Sequence, residues 1–268
     1  MWAVLEEAWE WCWGSGTVTR LALLDLLIQW GLGVVACLLK TEKFFDLTGA
    51  VTFILLVYLN YKWNNSGHPR QAIQTGCVAI WALRLGLFLF IRIVKDGKDR
   101  RFDKTRGNPS RFLFVWTLQG VWVLVTVLPS VLAVLSPRQR PLGARDYVGW
   151  GIWATGFLIE VVADYQKTTF RNNPANKDKF IKSGLWYLSR HPNYFGEILL
   201  WFGLYVSASS TFSGWEYLTI LCPLMDYLLI TRISGIPVLE SHGRRKWGTS
   251  PQYQAYVKNT PTLMPFAG

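Results

Sequence analysis

The 268-residue sequence predicts an all-α, polytopic membrane bundle of about seven transmembrane helices, and three observations carry that prediction. Apolar residues make up 51% of the chain, while charged residues reach only 17%, below the roughly 25% of ordinary globular proteins. Aromatic residues are abundant, with 15 Trp, 15 Phe and 11 Tyr. Apolar stretches recur at the roughly 20-residue length that a helix needs to cross a bilayer. This composition excludes disorder, coiled coil and collagen. Cys12, Cys37, Cys77 and Cys222 show no C-x-x-C and no His at ligand spacing, so neither a metal site nor a disulfide framework is expected.

Seven windows fit a membrane span: 18–39, 46–63, 73–94, 112–135, 147–163, 194–212 and 215–233. Residues 1–17 form a Trp- and Glu-rich segment with Glu6, Glu7 and Glu10 in place of a basic leader, so the first window reads as a retained span. Residues 18–268 then form one membrane domain. Seven spans put the termini on opposite sides, and the basic residues choose the orientation. Nineteen Lys and Arg fall on the side of the C-terminal tail against six on the other, with Arg84, Arg92 and Arg232 inside spans. By the positive-inside rule the N-terminus is non-cytosolic and the C-terminus cytosolic.

Ionisable residues within spans are costly and mark either sites or internal polar pairs. Asp25 and Gln29 stand one turn apart on the first span, and Asp226 is on the seventh. The fifth span carries Glu160, Asp164, Lys167 and Arg171 at spacings of 4, 3 and 4, which is one helical face leading out of the membrane. Pro174 closes that helix shortly after. The stretch 188–197 reads L-S-R-H-P-N-Y-F-G-E, in which Pro192 suits the first turn of the sixth span. Arg190 and His191 then flank a helix N-terminus, an arrangement suited to a phosphate. Asn193 and Glu197, one turn apart, share a face below it.

The stretches E-V-V-A-D-Y-Q-K-T-T-F-R at 160–171, S-R-H-P-N-Y-F-G-E at 189–197 and R-I-S-G-I-P-V-L-E at 232–240, with Tyr253, Tyr256, Thr260 and Pro261, resemble the uncharacterised membrane family related to the steroid 5α-reductase C-terminal domain (DUF1295-like). The resemblance implies a seven-span reductase that binds NADPH within 160–260 and delivers hydride to a carbon–carbon double bond of a lipid or steroid-like enone. On that likeness the cofactor residues are Asp164, Lys167, Arg171, Arg190, His191, Asn193, Glu197 and Arg232. The Glu and Tyr that hold the substrate carbonyl in steroid reductases have no clear counterpart, since the third span reads I-W-A-L-R-L-G-L-F. Asp46 on the second span is among the nearest polar groups, and Tyr194 is the candidate hydroxyl donor.

Two alternatives share these motifs. Isoprenylcysteine and phospholipid methyltransferases carry a similar R-H-P-x-Y-x-G element, which keeps an S-adenosylmethionine-dependent lipid methyltransferase open. A non-catalytic scaffold that retains the fold is the other. The expected partners are a lipophilic small molecule and membrane lipids, with no nucleic acid. The expected location is a multi-pass position in the endoplasmic reticulum or another internal membrane of a eukaryote, or the inner membrane of a bacterium. Reporter tags at the two ends test the topology: they are expected in different compartments, with the C-terminal tag cytosolic, and a shared compartment refutes the seven-span count.

Overall fold

The computed structural model describes residues 16–264; most of the Trp- and Glu-rich segment lies outside the described residues. Helices with 3-10 and π turns make up the regular structure, and no strand occurs among the described residues. The described residues fall into two compact units, one holding those up to Asp146 plus Ala208–Cys222 and the other holding Tyr147–Ser207 and those from Pro223 onward.

The first unit is built on α1 (Thr17–Leu39), α2 (Phe45–Asn64), α3 (Pro69–Asp96) and α4 (Pro109–Leu135). Helix α1 buries Leu21, Asp25, Gln29, Gly33 and Ala36, a stripe with helical spacing, against α4. Leu23, Leu27 and Leu38 are exposed, Leu38 to 77%. Polar groups inside and aliphatic groups outside is the arrangement of a helix surrounded by hydrocarbon.

Several of the buried polar groups pair with one another. Gln29 Nε2 donates to Asp25 Oδ1 (3.2 Å), and Gln119 Nε2 donates to Gln29 Oε1 (2.9 Å) and to the Phe45 carbonyl (3.1 Å). Asp25 therefore has an internal hydrogen-bonding role. At one end of α3 the guanidinium of Arg70, fully buried, grips Asp146 through Nε–Oδ1 (2.6 Å) and Nη2–Oδ2 (2.9 Å). Ser210 Oγ and the Gly143 N–H, each at 3.0 Å, satisfy the remaining lone pairs of that carboxylate. Burial alone would raise the Asp146 pKa; the bonds from Arg70, Gly143 and Ser210 reverse this and hold it below the usual carboxylate range.

The second unit contains α5 (Ala144–Asn172, which starts just before it), the single turn α6 (Leu185–Leu188), α7 (Pro192–Ala208), most of α8 (Leu221–Leu228), α9 (Ile236–Trp247) and α10 (Pro251–Asn259). A π turn at Leu229–Ile233 leads from α8 towards α9. Helix α5 ends at Asn172, two residues before Pro174.

Helices α5 and α7 meet through glycine. A Cβ built on Gly156 would stand 2.6 Å from both the Gly196 carbonyl and the Leu200 nitrogen; one on Gly149 would stand 2.7 Å from the Gly203 carbonyl. The reciprocal positions are equally tight: Gly196 would meet the Gly156 carbonyl at 2.5 Å and Gly203 the Gly149 carbonyl at 2.6 Å. Gly149 and Gly156 are seven residues apart, as are Gly196 and Gly203, so both pairs recur two turns apart along an antiparallel contact. Close backbone approach through small residues is how helices associate where lipid removes the hydrophobic drive.

Among the described residues, four helical stretches are long and apolar enough to cross a membrane: Thr17–Leu39, Pro69–Asp96, Pro109–Leu135 and Gly214–Trp247. The other anticipated windows fall on α2, α5 and α7, the window 194–212 running past the end of α7 at Ala208, and these helices carry polar buried residues such as Thr48, Thr52 and Asn60 on α2 and Glu160 and Asp164 on α5.

The glycine contact generates a contrast between two alanine substitutions. Gly156→Ala forces two backbones apart and is expected to destabilise the protein by about 1–3 kcal/mol. Gly151→Ala, on the same helix with nothing within 4 Å of its Cβ position, is expected to be neutral or to stabilise by about 0.5–1 kcal/mol. Unfolding of the detergent-solubilised variants measures both.

Candidate cofactor site

The register set by the glycines continues to the start of α7. Gly196 lies against the Glu160 backbone, so the next turn of α5 faces the preceding residues of α7. There Asn193 Nδ2 donates to Asp164 Oδ1 (3.2 Å), and the Asp164 side chain is buried.

The residues before α7 are fixed by the tail. The Arg190 N–H donates to the Pro261 carbonyl (2.9 Å), and Ser189 Oγ donates to the Leu263 carbonyl (2.8 Å) while accepting from the His191 N–H (3.1 Å). Glu240 on α9 then holds both side chains: Arg190 Nη1 donates to Oε2 at 2.7 Å, and His191 Nε2 meets Oε1 at 2.9 Å. Arg190 Nη2 also donates to Thr262 Oγ1. On the other flank Trp186 Nε1 donates to the Ala163 carbonyl (3.1 Å), and Lys167 Nζ lies 4.4 Å from the centre of the Trp186 ring. The Tyr194 ring stacks on His191 at 5.9 Å, and Gly235, at the head of α9, leaves room for Tyr194 Cε2, which a Cβ there would meet at 3.2 Å.

Electrostatics decide which atoms are free to act. Burial pulls the His191 imidazole below its ordinary pKa, and the hydrogen bond and charge of Glu240 offset this only in part. Burial would raise Glu240, but His191 and Arg190 bring it below the usual carboxylate range. A carboxylate only accepts, so a neutral His191 carries its proton on Nε2 and presents a lone pair at Nδ1. That Nδ1 is buried and has no protein partner; nor have Arg190 Nε and Asn193 Oδ1. Two acceptors and one donor thus go unmet on four consecutive residues. Buried polar atoms are rarely left so, each costing about 1–3 kcal/mol.

The structure therefore brings Asp164, Arg190, His191, Asn193 and Tyr194 together. Glu197 lies one turn further along α7, Lys167 and Arg171 follow Asp164 on α5, and Arg232 is exposed in the π turn. Asp46 belongs to the first unit. Its carboxylate accepts from Arg101 Nη2 at 2.8 and 3.1 Å, with Arg92 at 4.0 Å, and it borders a cavity of about 60 Å³ whose walls include Phe53, Trp81, Trp122 and Gln119. Sequence reasoning missed Glu240 as the anchor of both Arg190 and His191, and assigned no role to Ser189, Thr262 or Trp186. Their roles depend on contacts made across 23 to 74 positions of chain, which no local spacing reveals.

The family model described as "Protein of unknown function (DUF1295)" matches residues 32–260, most of the chain. This chain belongs to the DUF1295 family. Among its relatives, the DUF1295 chain is 26% identical over 181 residues to an uncharacterized protein of Schizosaccharomyces pombe, covering 56% of this chain and 53% of that one. It is 30% identical over 171 residues to a probable O-methyltransferase of Ustilaginoidea virens, covering 55% and 58%. It is 36% identical over 70 residues to the human 3-oxo-5-alpha-steroid 4-dehydrogenase 1, covering 26% and 27%. The matched regions thus span only about half of the first two relatives. No solved structure matches.

The Glu240 clamp predicts a pH dependence. His191 has its pKa lowered by folding, so as pH falls below 6.5 the unfolded state takes up the proton first and stability declines. Glu240 is also lowered, so its contribution is full above 4.5 and is lost as pH falls further towards its folded value. Melting temperature is expected to fall on acidification from about pH 6.5 in the wild type. In His191→Gln, which can still donate to Glu240, the decline between pH 6.5 and 4.5 is expected to disappear.

Proposed function

We propose that this DUF1295 protein is an integral-membrane, NADPH-dependent reductase of a carbon–carbon double bond conjugated to a carbonyl, acting on a lipid or steroid-like substrate. The observation that carries the reading is the group of buried, unpartnered atoms at the start of α7: Arg190 Nε, His191 Nδ1 and Asn193 Oδ1. A nicotinamide carboxamide has an N–H₂ to give to Asn193 Oδ1, with Asp164 orienting that side chain through its own hydrogen bond. Glu197, one turn along, supplies a further acceptor. The similarity to the human 3-oxo-5-alpha-steroid 4-dehydrogenase 1 supports the same direction.

Arg190 and His191 take a different part from the phosphate contacts read from the sequence. Glu240 neutralises Arg190, and the His191 lone pair suits a hydroxyl or amide N–H better than a phosphate oxygen. Phosphate binding falls instead to Lys167, Arg171 and Arg232, three cations outside the Glu240 ion pair. NADPH when bound supplies the hydride. Charge then develops on the substrate carbonyl, which requires a hydrogen-bond donor. Tyr194, stacked on His191, has the hydroxyl for that task. Asp46 is ion-paired with Arg101 and only accepts, so it is the weaker candidate.

A second reading is S-adenosylmethionine-dependent methyl transfer, favoured by the 30% identity over 171 residues to the probable O-methyltransferase. That cofactor has no phosphate, so it offers no anionic group to the positive charges of Lys167, Arg171 and Arg232. Equilibrium binding of NADPH, NADH and S-adenosylmethionine to the purified protein separates the two. Saturable NADPH binding is expected; saturable S-adenosylmethionine binding without it refutes the reductase. Glu197→Gln is expected to slow hydride transfer while leaving the melting temperature unchanged, as measured on one preparation by NADPH oxidation and thermal unfolding.

A further inference from the structure

Beyond the start of α7, the second unit contains a cavity of about 370 Å³ bordered by the end of α5, the loop 178–183 and the junction between α9 and α10. Its aromatic walls are Phe170, Phe180 and Trp247. Its charged groups are Lys179, Lys182 and Asp178. Asp178 is paired with Lys246 at 2.8 Å, which holds its carboxyl below the usual range, so the cavity retains the two positive charges of the lysines. Lys177 stands next to the loop in sequence and adds to the positive field.

The loop is fixed in place. Asp178 adopts a left-handed backbone (φ 66°), a conformation that Asp tolerates better than most residues. Its carbonyl accepts from Trp247 Nε1, and the Lys179 N–H donates to the Asn176 carbonyl (3.0 Å). Asn176 Nδ2 donates in turn to the Phe170 carbonyl at the end of α5 (3.0 Å). Phe180 packs edge-on against Trp247 and Tyr253 at 5.8 and 5.1 Å. Lys179 and Lys182 therefore line the cavity from an anchored loop, and Ser250 and Gln252 add polar groups to its lining.

Phe170 follows Asp164 by six residues on one continuous helix, a rise of about 9 Å. An extended dinucleotide is longer than that, so the separation along the helix axis is within the length of one molecule. We propose that the cavity is the seat of the cofactor's adenosine end, with Lys179 and Lys182 reading the 2′-phosphate that distinguishes NADPH from NADH. The proposal rests on the reductase reading above. A phosphomonoester carries close to two negative charges near neutral pH, matching the two lysines, and the aromatic walls suit a purine.

The test uses the full-length protein in detergent, with NADPH and NADH affinities measured in parallel. Lys179→Ala combined with Lys182→Ala is expected to weaken NADPH binding about 10- to 100-fold and to leave NADH binding unchanged. The pair Lys179→Arg and Lys182→Arg is expected to keep the preference, as is Arg245→Ala with Lys258→Ala, which removes two charges outside the cavity. Adenosine 2′,5′-bisphosphate is expected to compete with NADPH in the wild type and not in the double alanine variant. Equal weakening of NADPH and NADH, or no change in either, overturns the proposal. So does competition by anionic phospholipid vesicles where the bisphosphate fails to compete, which would make the cavity a lipid headgroup site. If the wild type binds neither dinucleotide, the reductase reading itself has failed, a result distinct from any variant effect.

Discussion

The candidate site depends on the glycine contact between α5 and α7. Four residues without side chains let two backbones approach until a Cβ at any of them would fall inside 3 Å of the other helix. That closeness fixes the register, because sliding either helix by one residue would bring side chains into the contact. Register in turn carries Asn193 to Asp164 and sets the start of α7 beside the polar face of α5. The tail and α9 then close around that start through Pro261, Leu263 and Glu240. The site is therefore a consequence of how closely two helices pack, with further contacts supplied by α9 and the tail.

A second constraint explains why charges sit where they do. In a hydrocarbon surround, a buried polar group has only protein partners, so polar residues tend to pair, and several unmet atoms clustered on neighbouring residues point to a ligand. The first unit shows the pairing: Gln29 and Gln119 bond to each other, and Arg70 with Asp146 forms a fully buried, bidentate pair. At the start of α7 the pairing is incomplete. Glu240 neutralises one face of Arg190 and one nitrogen of His191, and leaves Arg190 Nε, His191 Nδ1 and Asn193 Oδ1 unmet. The same carboxylate that orients these groups also selects the His191 tautomer, which changes the kind of atom the site can receive.

Much of this was legible in the chain. Composition and apolar run length predicted helices in a membrane, and the 4, 3, 4 spacing from Glu160 to Arg171 identified the polar face of α5 because helical periodicity is a local property. Pro192 marked the start of α7 for the same reason, since the ring fixes one torsion wherever it occurs. The glycine contact was not legible: Gly149, Gly156, Gly196 and Gly203 read as scattered residues until two helices face each other. Glu240 was visible only as a residue beyond the last span, and its capture of Arg190 and His191 spans about fifty positions. Asp46 stood out in the sequence as a polar group on the second span, and only the fold shows that Arg101 reaches it across 55 positions.

The central claim is that a dinucleotide completes the unmet hydrogen bonds at the start of α7. Hydrogen–deuterium exchange on the intact protein, with and without NADPH and with and without S-adenosylmethionine, tests it most directly. The account predicts that NADPH slows exchange in three segments together: 160–172, 189–200 and 236–242. Protection of those segments by S-adenosylmethionine alone, or by neither compound, would contradict it.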